Sequence, residues 1–122
     1  MLKTMLNARI RGTGKDLLVL SHGFGTDQSA WDGVAGDLAE RYQVLTYDLA
    51  CSGLADPDAF GLERHATLDG YAIDLNDLLD DMAVDSCHFI GHSVSAMIGM
   101  LAAIQRPERF SSLTMLGASA RY

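Results

Sequence analysis

The sequence is poor in cysteine, proline and positive charge, and each shortage closes off a class of protein. Two cysteines, Cys51 and Cys87, cannot supply the disulfide framework that holds small secreted domains together. Two prolines, no Pro/Ser-rich linker and no internal repeat make residues 1–122 read as one continuous domain segment. Lysine and arginine number 9 against 16 aspartates and glutamates, a net charge of −7. That balance argues against nucleic acid or an anionic membrane as partner. The most apolar helix-like stretch, Val94 to Ile104, is far short of the roughly 20 residues that span a bilayer. Lys3 and Arg9 break up the apolar residues near the N-terminus, so no signal-peptide core is visible. A soluble protein in a reducing, cytoplasmic setting is expected.

Against these shortages stands a composition of 48% hydrophobic and 20% charged residues, enough to bury a core. Asn7 to Arg11 predicts a short strand closed by a turn at Gly12-Thr-Gly14. Leu17-Leu-Val-Leu20 is a short apolar run ending in the glycine-rich Ser21-His-Gly-Phe-Gly25, the pattern of a buried strand entering a tight loop. Asp27 or Ser29 is placed to cap a first helix, with Trp31, Val34 or Ala35, and Leu38 turned inward. Tyr42 to Tyr47 predicts a second strand. Leu68, Tyr71, Ala72, Leu75, Leu78, Leu79 and Met82 recur at helical spacing, and Asp69, Asp74, Asp77, Asp80 and Asp81 are expected mostly on the opposite, solvated face. Ser86 to Ile90 predicts a strand, Val94 to Ile104 a helix stopped by Arg106-Pro107, and Leu113 to Leu116 a last strand. Strands alternating with helices in this way predict an α/β fold with a mostly parallel sheet and flanking helices.

Chemistry concentrates in two loops. Gly91-His-Ser93-Val-Ser95 lies between a predicted strand and a predicted helix, the setting of a nucleophile elbow. A sharp turn there projects the Ser93 hydroxyl above the strand ends, and the following helix points its positive end at the place where negative charge develops. The backbone N–H of Val94 is one candidate oxyanion donor. Ser95 stands where such elbows usually carry glycine, and its small side chain is expected to fit. His22-Gly-Phe-Gly25 follows the first core strand, and the N–H of Phe24 is the second candidate donor.

Other patterns do not carry a function. Gly12-Thr-Gly-Lys15 is followed by Asp16 instead of Ser or Thr, so it is no phosphate loop, and Gln28 stands where a dinucleotide fingerprint needs its third glycine. His88 and His92 bracket a strand end and a turn, which is unsuited to a shared metal. No cofactor or metal is expected. His92, adjacent to Ser93, is a poor base because neighbouring side chains diverge at an elbow. Cys51 and Cys87 read as small packing residues.

Three blocks, His22-Gly-Phe-Gly-Thr-Asp-Gln-Ser-Ala-Trp31, Thr67-Leu-Asp-Gly-Tyr71 and Gly91-His-Ser-Val-Ser-Ala-Met-Ile-Gly-Met-Leu101, resemble the RsbQ, karrikin-receptor and strigolactone-receptor group of α/β-hydrolases. Arg106-Pro-Glu-Arg-Phe110 and Gly117-Ala-Ser-Ala-Arg-Tyr122 fit the same group. The resemblance implies Ser93 as nucleophile, the Phe24 and Val94 amides as oxyanion hole, and hydrolysis of a small ester or lactone-like ligand in a mostly apolar pocket. It also implies a role in ligand sensing or stress signalling through a partner protein. In the group the chain runs to roughly twice this length, through a helical lid and two more strands carrying the acid and the base in the order Ser, Asp, His. The chain is therefore expected to be the nucleophile half, stopping before those residues. None of His22, His65, His88 and His92 occupies the group's base position, and without a base Ser93 is a weak nucleophile. The last strand is expected to be an unpaired edge that favours self-association. Three readings stay open: a serine hydrolase, a non-catalytic sensor that keeps the fold, and a hydrolase completed by a second polypeptide.

Overall fold

The computed structural model describes residues 1–118, and its fold grows from two strands that are apolar on both faces. Leu17–Ser21 (β2) and Gln43–Tyr47 (β3) are each buried at four of five positions, as strands covered on both sides must be. Alternation then divides their side chains between two cores. Val19, Leu45, Tyr47 and Phe89 face one side with Leu75, Leu78 and Ile98, while Leu18, Leu20 and Val44 face the other with Trp31 and Ala35.

Among the described residues the sheet has five strands in the order β1-β3-β2-β4-β5. Arg9–Arg11 (β1) runs antiparallel to β3, whereas Cys87–His92 (β4) and Phe110–Leu116 (β5) continue the sheet in parallel. The mostly parallel α/β architecture expected from the sequence is what the chain adopts. Its first strand starts later than expected, because a helical turn at Leu2–Met5 (α1) and a left-handed Asn7, φ 51°, intervene. The last strand starts earlier, at Phe110. It lies at the sheet's edge among the described residues, with most of its side chains exposed.

Asp27 caps a short 3-10 turn, Gln28–Trp31, by accepting the Ser29 N–H at 2.8 Å. Asp32–Leu38 (α2) follows and buries Ala35, leaving Val34 exposed. Leu68–Asp81 (α3) matches its expected span, and Asp69, Asp77, Asp80 and Asp81 are exposed as expected, with Asp74 the exception. Asp74 is 4% exposed, and Asp80 receives both Arg106 and the buried Arg109. Asp74 is thus paired and buried, while Asp80 is paired at the surface.

Val94–Gln105 (α4) packs on α3, β4 and β5. Gly99 is required there because a Cβ would run into the Phe89 ring. Asn76 of α3 donates to the Ala102 carbonyl at 3.1 Å, which also accepts the Arg106 N–H at 2.9 Å, tying α3 to the end of α4. Ile104, near the same end, remains exposed.

Candidate active site

Parallel pairing of β2 with β4 places Ser21 opposite Gly91, so the loops leaving the two strands emerge side by side. Gly23 lies against the turn after β4: a Cβ on it would sit 3.5 Å from the Ser93 Cβ and 3.3 Å from His92 Nδ1. The glycine-rich loop and the elbow, 70 positions apart in sequence, thus form one site.

Ser93 joins β4 directly to α4 with φ 57° and ψ −120°, a backbone conformation that a side chain disfavours. Strain of this kind, on a half-buried serine between strand and helix, is the physical form of the elbow. Gly91 permits the turn to close, since a Cβ there would approach the Ser95 carbonyl oxygen to 2.5 Å. Val94 is the first residue of α4 and is buried. Phe24 follows the loop's close approach to the elbow; its ring is exposed and meets Tyr71 edge-on at 5.6 Å. The structure therefore brings together the neighbourhoods of all three candidate residues, Ser93, Phe24 and Val94.

Two buried groups brace this arrangement. His22 Nε2 accepts the Leu49 N–H at 3.0 Å, which leaves the ring proton on Nδ1 to donate to the Gly23 carbonyl at 2.7 Å. The histidine of the loop is thus a neutral bolt between the ends of β2 and β3. Ser95 donates to the His22 carbonyl oxygen, and Ser21 bridges Ser95 and Tyr47 at 2.7 and 2.8 Å. Sequence reasoning left Ser21, Tyr47 and Ser95 without a role. Their one local signal is a polar residue at the end of an apolar strand or in an apolar helix.

The remaining histidines are placed elsewhere. His65 Nε2 meets Asp74 at 2.6 Å, and His88 Nδ1 meets Ser112 at 2.8 Å on the surface. His92 lies beside Gly23 and lines a cavity of about 240 Å³ with His22, Ala30, Trp31 and Leu116. Among the described residues, no histidine or carboxylate hydrogen-bonds the Ser93 hydroxyl.

The cysteines differ from one another. Burial pushes the Cys87 thiol up to about 11, so it is an inert packing residue as expected. Cys51 is exposed, at a left-handed φ of 69°, and is not the small packing residue expected. Residues 119–122, part of the closing block Gly117 to Tyr122, lie outside the described residues.

Similarity to known proteins agrees with this geometry. A family model described as "Alpha/beta hydrolase family" matches residues 18–121. The strigolactone esterase RMS3 of Pisum sativum is 51% identical over 95% of this chain and 43% of its own length. The karrikin insensitive 2 receptor IA of Petunia hybrida is 46% identical over 99% of this chain and 44% of its own. Among solved structures, a hydrolase from Oleispira antarctica superposes with a TM-score of 0.94 at 33% identity, covering 97% of this chain and 43% of that one. The chain spans less than half the length of these relatives.

Proposed function

The chain belongs to the alpha/beta hydrolase family, and on that premise we propose that it is the nucleophile-bearing part of a serine hydrolase acting on a small ester or lactone-like ligand. The observation that carries this reading is the strained Ser93 turn set against the Gly23 loop.

In the proposed reaction Ser93 Oγ attacks the carbonyl carbon, and the carbonyl electron pair moves onto its oxygen. The Phe24 and Val94 N–H groups receive that oxyanion. Collapse expels the alcohol or opens the lactone, and water then releases the acyl group from Ser93. A base must take the Ser93 proton. None of the four histidines is bonded to it, so we assign the base and its acid to residues outside this chain, in a continuation or in a second polypeptide. We place the protein in the cytoplasm. Among the described residues no helix is long and apolar enough to cross a membrane.

The names of the relatives, an esterase of strigolactone and a karrikin insensitive receptor, support ligand sensing with a signalling protein as partner. They also give weight to a second reading, a sensor without turnover, which the engagement of His22, His65 and His88 elsewhere favours. Burst kinetics with p-nitrophenyl acetate separate the two. The enzyme reading expects a stoichiometric release of p-nitrophenol, slow because this chain supplies no base for Ser93, that disappears in Ser93→Ala. A burst that survives the substitution rejects Ser93 as nucleophile, and no burst in either protein favours the sensor.

A further inference from the structure

The fifth position of the elbow is serine where glycine is usual, and its hydroxyl is not idle. Ser95, Ser21 and Tyr47 are all buried, and their oxygens form a continuous chain with the His22 carbonyl at its end. A carbonyl oxygen only accepts, so the single Ser95 proton goes to His22. Ser21 must then donate to Ser95 at 2.7 Å, and Tyr47 to Ser21 at 2.8 Å. Every proton in the chain has one direction, from β3 through β2 and the first turn of α4 into the glycine-rich loop. Burial raises the Tyr47 phenol well above its ordinary value of 10.0, so its donor proton stays in place.

We propose that Ser95 is a positioning residue for the oxyanion hole: by holding the His22 carbonyl, it fixes the loop that carries the Phe24 N–H relative to the elbow that carries the Val94 N–H. Glycine at this position removes that hydrogen bond and leaves the loop and the elbow in packing contact at Gly23. Serine couples the two donors directly, from the helix that bears one to the loop that bears the other. The chain's order makes a graded claim. Loss of Ser95 frees the carbonyl, loss of Ser21 leaves Ser95 bonded to it, and loss of Tyr47 touches only the far end.

This inference rests on the serine-hydrolase reading, and its test uses two measurements that fail independently. Fluorophosphonate inactivation of the protein gives a maximal rate and a binding constant for Ser93. Mass-resolved hydrogen exchange reads the amides of residues 21–26 whether or not Ser93 reacts. For Ser95→Ala the expected results are a maximal rate lower by about tenfold, a binding constant changed less than twofold, and loop exchange faster by about tenfold. Ser21→Ala is expected to show a smaller shift in the same direction, and Tyr47→Phe the smallest. If Ser95→Ala does not fold, the order of the other two decides, and equal or reversed effects overturn the proposal. Unchanged loop exchange in a folded Ser95→Ala also overturns it, as do losses in all three variants that merely follow their melting temperatures. A wild-type protein that never reacts defeats the hydrolase reading, while the exchange data still judge the role of Ser95.

Discussion

Two polar clusters brace the same small region with opposite chemistry. Beside the elbow, the Tyr47–Ser21–Ser95 hydroxyls and the His22 carbonyl are all neutral and bind end to end. At the approach to α3 the cluster is ionic: Asp74 receives Arg64 Nε at 2.7 Å and His65 Nε2 at 2.6 Å. His65 is stacked on Phe60 at 5.2 Å and meets Tyr71 at 4.7 Å. The first cluster ends at the His22 carbonyl, two residues before Phe24, and the second touches Phe24 through Tyr71. The difference separates positioning from anchoring. A neutral chain with fixed proton directions holds geometry at little desolvation cost. An ion pair restrains a long connection strongly but leaves an uncompensated charge when one partner goes.

The sharpest way to break that division is to alter the elbow itself. Ser93→Gly is expected to lower acylation by about a thousandfold or more, because the proposed nucleophile is gone. The same variant should gain about 1 kcal/mol in a urea melt, since glycine adopts φ 57° without strain. A loss of stability would show that the turn is not strained.

Asp74→Ala should do the reverse. It leaves the buried His65 Nε2–H without its acceptor, while Arg64 keeps Asp77 at 3.3 Å, and is expected to cost about 2 kcal/mol in the same melt. The reactivity of the folded fraction toward a fluorophosphonate should stay within about threefold of wild type. A tenfold fall in that reactivity would mean that the ionic cluster positions the site as well as anchoring it.

A smaller effect concerns acid. The hydrogen bond from Arg109, with Arg106 nearby, holds the Asp80 carboxyl below its ordinary value of 3.8. The unfolded chain therefore takes up this proton first as pH falls. Asp80 contributes stability that is complete above about pH 4 and is lost as pH falls through the lower folded value. Asp80→Asn should flatten that part of the acid limb below about pH 4 in melts taken at each pH; an unchanged limb would show the pairing to be energetically idle. The hydroxyl chain contributes nothing to this limb. Least of all, a disulfide reagent should modify Cys51 promptly and Cys87 only on unfolding. Equal rates would contradict the burial that pushes Cys87 up to about 11.

How much of this could be read in the sequence follows from the distance over which each feature is encoded. β2, the elbow and the helical spacing of α3 are local patterns, and the mostly parallel α/β fold is legible from them. The meeting of Gly23 with Ser93 needed only the adjacency of two strands, which the alternation of elements implies. The hydroxyl chain is different: its bonds join residues 26 and 74 positions apart, and depend on a register that no local pattern states. Asp74 misled for a related reason. Its helical phase is acidic and reads as solvent, but its partners Arg64 and His65 come from the preceding loop, which has no periodicity to place it. Cys51 looked like packing because its left-handed backbone is invisible in a residue that usually avoids it.

The central claim is that Ser93 is the nucleophile, set by its strained turn between two oxyanion donors. Intact-mass analysis after prolonged exposure to a fluorophosphonate, followed by peptide mapping, tests it most directly. The prediction is one adduct per chain, on Ser93, and none in Ser93→Ala. An adduct on another residue, or one that persists in the variant, would contradict it.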